Sequence, residues 1–188
     1  TTLFRSDYAA EIAQIRAAKP DAVFFFLPGA MGINFVKQYV GGGLKDIPLI
    51  APGFSADEDV IQAVGEPRLG VLNTAHWTHD LQVPANVEFV AAYPSVYAAM
   101  AYDTLMAMDA AVRDAGGKID DREAVLKALK NPSFKSVRGE FKYGANNFPV
   151  QNYYLREVGK DAAGRITNKL VGTTLEQHQD AYVGACKM

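Results

Sequence analysis

The sequence predicts an α/β fold, a parallel sheet flanked by helices, and three observations carry that prediction. Ala22-Val23-Phe24-Phe25-Phe26-Leu27 is an unbroken apolar run closed off by Pro20-Asp21 and Pro28-Gly29, the pattern of a strand buried on both faces. A helical stretch at 33–40, stopped by Gly41-Gly42-Gly43, separates it from a second apolar run, Ile47-Pro48-Leu49-Ile50-Ala51. By residue 75 the elements alternate helix and strand three times. That order makes a parallel sheet with right-handed crossovers.

The elements follow in chain order. Asp7 is expected to cap a helix over 8–18, ended by Lys19-Pro20. After the opening β-α-β unit, Ser55 and Glu58 have the spacing of a capping box for the next helix, which Gly65-Glu66-Pro67 terminates. Residues 69–75 form a third strand and 76–84 a polar connection. A short helix spans 85–93 and is broken by Pro94. Ser95 then caps a long helix to about residue 115, closed by Gly116-Gly117. It is apolar over so much of its surface that it is expected to be buried. Asp120 or Asp121 caps a helix over 122–130. Alternation at 137–143 and 150–156, with turn residues Gly144-Ala145-Asn146-Asn147 between, predicts an antiparallel hairpin. Residues 161–168 read as a polar loop and 169–174 as a short strand.

At 188 residues, 49% hydrophobic and 21% charged, the chain has material for one core or two small ones. A net charge of -2 with no basic stripe argues against nucleic acid as a partner. No apolar run reaches the roughly 20 residues of a membrane helix, so the chain is not expected to span a membrane. Cys186, the single cysteine, permits no internal disulfide. It reads as an inert tail thiol; the alternative is a bond to a cysteine outside this sequence. Thr1-Thr2-Leu3-Phe4-Arg5-Ser6 matches one reading frame of a widely used sequencing adapter, so residues 1–6 are expected to be a non-native leader.

Little in the chain demands catalysis. His76-Trp77-Thr78-His79-Asp80 gathers metal-ligand types, but no third well-spaced ligand accompanies the histidines. Gly41-Gly42-Gly43-Leu44-Lys45 follows a helix rather than a strand and lacks the phosphate-loop pattern. No GxSxG elbow is present, nor a nucleophile and histidine at suggestive spacing. Ligands of open parallel sheets bind beyond the carboxyl ends of the strands, so the loops at 28–31 and 52–55 are the first candidates for a site. Phe54, Trp77, Tyr93 and Tyr97 fall near such loops, and aromatic walls make small-molecule pockets. Ordinary core packing is the competing reading for each. Trp77 stands out because a polar loop offers no obvious reason to bury an indole.

Read together, AAEIAQIRAAKPDAVFFFLPGAMGINFVKQY, GLKDIPLIAPGF, VPANVEFVAAY, PSVYAAMAYDTLMAMDAAV and SVRGEFKYGANNFPVQNYYLREV resemble the C-terminal half of the branched-chain amino acid (leucine/isoleucine/valine-binding) family. Its members are the type I periplasmic-binding-fold receptors of ABC importers. GEFKYGANNFPVQNYYLREV looks closest to the branch that takes up aromatic acids.

The resemblance implies two α/β lobes around a cleft, joined by three crossovers, here truncated. Residues 7–80 would belong to the C-terminal lobe, 81–132 would supply helices to the N-terminal lobe, and 133–188 would return across the hinge. It implies a periplasmic receptor that captures a small-molecule ligand, of the aromatic acid or branched-chain amino acid class, in that cleft and docks on an inner-membrane ABC permease, with no cofactor, metal or bond-making step. By position, the ligand contacts would be Leu27, Pro28, Gly29, Ala30, Gly53, Phe54, His76 and Trp77, with Tyr97 at the start of the long helix. The family often carries an acidic residue, which grips a ligand ammonium, where Gly53 and Phe54 stand. Its absence favours an aromatic or carboxylate ligand. The segment before Pro94 looks short for the family, which bears on Tyr93 as a contact. The sheet under the long helix is not in this sequence, so the chain alone is expected to expose apolar surface. A ligand-sensing regulatory domain of the same fold is the second reading, and a flavodoxin-like enzyme a third.

Overall fold

The computed structural model describes residues 7–92 and 95–186. The expectations for residues 1–6, Tyr93 and Pro94 lie outside the described residues. The chain divides into two compact units, one made of the residues up to Ala75 plus 155–172, the other of 76–154 and 173 onward. It passes between them three times, at 75/76, 154/155 and 172/173.

The first unit opens with α1 (Ala9–Ala18), where Asp7 Oδ1 accepts from the Ala9 N–H at 2.9 Å and Lys19 ends the helix in the left-handed region, φ 46°. The strand β1 (Val23–Phe24) leads into α2 (Gly29–Gly41), and β2 (Leu49–Pro52) into a 3-10 turn, Gly53–Ala56. Next come α3 (Glu58–Val64), a second 3-10 turn, Glu66–Arg68, and β3 (Leu72–Ala75). Val23 pairs with Leu49 and Ile50 with Leu72, all parallel. The core gathers Tyr8, Phe25, Phe35, Val36, Tyr39, Ile61 and Val158.

Two expectations are corrected here. The apolar run is not buried on both faces: Phe25 is 5% exposed, but Phe24 and Phe26 are each 64% exposed. In this unit β1 is the edge strand, with β2 its neighbour, and Phe25 packs on Phe35 of α2. Helices therefore cover the Phe25 face, while the alternate residues turn away from it. Ser55 does not cap α3. It lies inside the 3-10 turn, and Asp57 occupies the cap position. The Ser55 hydroxyl instead donates to the Leu27 carbonyl at 3.1 Å, tying the two strand-end loops together.

The second unit contains α4 (Pro84–Val90), α5 (Val96–Asp114), α6 (Arg122–Lys130) and β4 (Phe141–Tyr143). Ser95 caps α5 by accepting from Ala98, and Asp121 caps α6 by accepting from Ala124 at 3.1 Å. The long helix is not buried all round. Val96, Ala99, Asp103, Ala107 and Ala110 form its buried side, whereas Tyr97, Met100, Leu105 and Met108 are exposed. The strands β5 (Pro149–Lys160) and β6 (Ile166–His178) run through both units and are longer than their sequence pattern suggested. In the second unit Phe141 pairs antiparallel with Gln151. The first hairpin strand is shorter than expected because Asp103 diverts its start. The Asp103 carboxylate accepts from the Val137 N–H, the Ser136 hydroxyl and Arg138 Nε, at 3.0, 2.5 and 2.7 Å.

Candidate ligand-binding site

The loops after β1 and β2 in the first unit are built to one geometry. Pro28 is extended and stands at the cap of α2, and Gly29 follows with φ 52°, so the chain turns at once from strand into helix. The helix thus starts four residues before the sequence pattern suggested. Gly32 permits that tight entry, since a Cβ there would lie 2.4 Å from the Leu27 carbonyl oxygen. Leu27 is half-buried, while Pro28, Gly29 and Ala30 are exposed.

Gly53 is also held at close quarters. A Cβ on it would meet Ala75 Cβ at 2.7 Å and the Thr74 carbonyl oxygen at 2.8 Å. Its own carbonyl accepts from Arg156 Nη2 at 3.3 Å. Arg156 is 1% exposed and donates from Nε to Asn73 Oδ1 at 2.7 Å. Asn73 in turn donates to Asn168, which donates to the Ala56 carbonyl, both at 2.8 Å. A chain of buried polar groups therefore fixes the turn from below, as such groups must be satisfied when withdrawn from water.

That fixed turn presents Phe54. Its ring stands edge to face with Phe26, centroids 4.9 Å apart and planes at 78°. Phe26 was not among the sequence-predicted contacts. Its outward direction is hidden in an all-apolar run, where period-two alternation leaves no trace. The structure thus brings Leu27, Pro28, Gly29, Ala30, Gly53 and Phe54 together at one end of the first unit, and adds Phe26 to them.

His76, Trp77 and Tyr97 belong to the second unit. The premise for Trp77 is corrected: the indole has a structural role. It is fully buried, its N–H donates to Asn86 Oδ1 at 2.6 Å, and its ring meets Phe89 at 6.1 Å. Asn86 also donates to the carbonyls of His79 and Leu81, at 3.1 Å each, and so sets the 77–81 loop. Asp80 accepts from the Thr78 hydroxyl at 2.7 Å. His76 is half-buried against Tyr153, ring centroids 6.5 Å apart, and Tyr97 is 60% exposed on the first turn of α5. Among the described residues no group of three or more His, Cys, Asp or Glu side chains is placed to hold a metal. Nor is any helix there long and apolar enough to cross a membrane.

Two concavities are lined by other residues. One of about 700 Å³ in the second unit is walled by Val83, Phe134 and Phe141. The other, about 610 Å³, opens beside Pro48 and Gly70, where the parallel strands begin rather than end. In the candidate loops Pro28, Gly29 and Ala30 are exposed, Leu27 and Phe54 half-buried and Gly53 buried.

Comparison with known proteins gives a consistent picture. A family described as periplasmic binding protein matches residues 1–163. The Leu/Ile/Val-binding protein homolog 6 of Brucella melitensis is 34% identical, over 93% of this chain and 48% of that protein. A solute-binding protein of an ABC transporter from R. palustris, solved with benzoate, is 33% identical. It superposes with a TM-score of 0.86 over 100% of this chain and 52% of its own. Another, from Rhodopseudomonas palustris BisB5 with 3,4-dihydroxybenzoic acid, is 31% identical with a TM-score of 0.81, over 93% of this chain and 50% of its own. The chain spans about half the length of the relatives it matches.

Proposed function

Because the chain belongs to the periplasmic binding protein family, whose type I fold it shares, we propose that it serves in a solute-binding receptor of an ABC importer that takes an aromatic carboxylate. The Phe26–Phe54 corner is the observation that carries the ligand class. Two rings at right angles offer a face and an edge to a third, the arrangement aromatic groups prefer. Within the first unit Leu27, Pro28, Gly29, Ala30, Gly53 and Phe54 line the ligand; in the second, His76 and Tyr97 are candidate contacts in their own right and Trp77 supports its loop. Gly53 and Phe54 supply no carboxylate to grip an ammonium group, which weighs against an amino acid. The benzoate and dihydroxybenzoate in the two solved relatives point the same way.

In this reading the receptor makes and breaks no bond. Ligand selects a closed conformation that docks on an inner-membrane permease. The working compartment is the periplasm. A ligand-sensing regulator of the same fold is the second reading, drawn from the same family fold. A signal peptide on the complete gene favours the receptor, and a fused output domain favours the sensor.

The test is a thermal-shift screen of the full-length protein against benzoate, 4-hydroxybenzoate, leucine, valine and a short amide. A ligand at about 100 times its Kd adds roughly 2.7 kcal/mol of stability. The aromatic acids should raise the melting temperature and the aliphatic amino acids should not. A shift with leucine or valine alone would overturn the ligand class.

A further inference from the structure

Asn73, Arg156 and Asn168 lie buried together in the first unit, each no more than 1% exposed. They come from three strands, β3, β5 and β6. Those are the strands on which the chain passes between the units. Asn73 precedes Ala75, where the chain first leaves the first unit. Arg156 follows Leu155, where the chain returns, and Asn168 precedes Gly172, where it leaves again.

The cluster is a single line of hydrogen bonds from a guanidinium to a carboxyl group. Arg156 donates from Nε to Asn73 Oδ1 at 2.7 Å, Asn73 to Asn168 Oδ1 at 2.8 Å, and Asn168 to Glu58 Oε1 at 3.0 Å. Two further bonds reach the turn that carries Phe54. Arg156 Nη2 donates to the Gly53 carbonyl at 3.3 Å, and Asn168 Nδ2 to the Ala56 carbonyl at 2.8 Å. The turn is thus gripped at its first and last residues by side chains of two crossing strands, with the third strand, through Asn73, between them.

Packing alone does not require this chemistry. A cation and two amides in a core carry a desolvation cost that an apolar cluster avoids. What they provide is directional bonds without slack. Displacing one member leaves a buried donor or acceptor unmade, so the others are favoured to move with it. A planar guanidinium can hold acceptors on two elements at once, which a point charge does poorly.

Resting on the reading of the Phe54 turn as part of the ligand site, we propose that Arg156 is a positioning residue of that site, and that the Asn73–Arg156–Asn168 cluster couples the turn to the three crossing strands. Ligand against Phe54 sets the turn. The Gly53 and Ala56 carbonyls set the cluster, and the cluster sets the strands near the points where the chain passes between the units. The coupling runs equally in the other direction, as linkage requires. Arg156 touches no ligand and acts through Gly53.

Hydrogen exchange of the full-length protein, without ligand and with benzoate, tests the coupling. Without ligand, Arg156→Met should speed exchange at 53–57, 73–75, 155–157 and 168–172 together, and more than in α1 and α2. Ile12→Ala, a cavity in the core of the same unit, should speed all of these alike. Benzoate should slow exchange in wild type both at 53–57 and along the three strands. In Arg156→Met it should slow 53–57 alone, and calorimetry should read about tenfold weaker binding, the size expected of a residue that alters coupling without touching ligand. A merely structural arginine would leave the spread of protection unchanged. Faster ligand-free exchange confined to 155–157 overturns the proposal, as does benzoate protection in wild type confined to 53–57. Benzoate that protects nothing overturns the ligand class instead, and the ligand-free comparison then upholds or overturns the coupling. Should Arg156→Met not fold, Asn168→Ala removes the grip on Ala56 and should loosen the same four segments. Loosening of 168–172 alone overturns the proposal.

Discussion

The edge of one ring and the face of another meet where β1 and β2 end: Phe26 and Phe54 stand 4.9 Å apart at 78°. Phe26 is 64% exposed, so its side chain gains little from folding. Phe26→Ala should therefore cost the fold less than about 1 kcal/mol, while Phe54→Ala costs about 1–2 kcal/mol through the lost pair and partial burial. Both should lower affinity for aromatic carboxylates at least tenfold and spare aliphatic ones. Urea titration of each variant beside a calorimetric affinity separates the two effects. Equal losses for aromatic and aliphatic ligands would show that the corner does not recognise rings.

The turn that carries Phe54 tolerates only glycine at position 53. A methyl group there would overlap Ala75 Cβ and the Thr74 carbonyl, and lie 3.2 Å from Arg156 Nη2. Backbone atoms of a central strand cannot yield cheaply. Gly53→Ala should destabilise by about 2–3 kcal/mol and weaken ligand binding beyond what the stability loss explains. Gly41, where a Cβ meets nothing within 4 Å, is the control. Comparable melting temperatures for Gly53→Ala and Gly41→Ala would refute the packing argument.

How much of this was legible in the sequence follows from what kind of signal each part leaves. The α/β order, the helix stop at Gly41-Gly42-Gly43 and the Ser95 cap are local, and propensity and punctuation disclose them. The loops at 28–31 and 52–55 followed from topology, since parallel strands must end somewhere. Phe26 did not, because an unbroken apolar run hides which residues face away. Trp77 misled for a different reason. The polarity of its loop described the backbone neighbours, whereas the indole's partner, Asn86, comes from α4. Ser55 and Glu58 fitted a capping box by spacing, but a 3-10 turn and the Leu27 carbonyl claimed the hydroxyl. The network of Arg156, Asn73 and Asn168 joins residues 83 and 95 positions apart, a separation no single-sequence pattern reports.

The second unit depends on one buried ion pair. Asp103 is 1% exposed and receives Arg138 Nε at 2.7 Å, together with Ser136 and the Val137 N–H. Arg138 also donates to Gln151 and lies over Phe141. Removing one charge leaves the other largely buried without its partner. Asp103→Ala should cost about 3–5 kcal/mol and release the 136–138 segment from α5. Asp103→Leu with Arg138→Met should recover a large part of that loss. A double-mutant cycle by chemical denaturation measures the coupling, and additive losses would mean the pair contributes nothing as a pair.

Arg68 gives the opposite sign, and its pH dependence can be worked out. Burial lowers its pKa from the ordinary arginine range to about 10. Between those values the unfolded chain binds the proton that the folded protein has released, so folding stability rises with pH across that window. Below about pH 10 the folded protein bears the whole penalty, an upper bound near 3 kcal/mol. Arg68→Met replaces the cation by an apolar chain of similar length, and should stabilise the protein at pH 7 by about 1–3 kcal/mol. The advantage over wild type should shrink as pH rises above 10. Tyr39 and Tyr154, whose hydroxyl pKa values burial raises, lower stability over the same alkaline range. They do so equally in both proteins and cancel from the comparison. Denaturation of wild type and Arg68→Met at pH 7 and pH 10.5 reads the difference. A variant less stable than wild type at pH 7 would mean that the guanidinium is held by groups that compensate its burial.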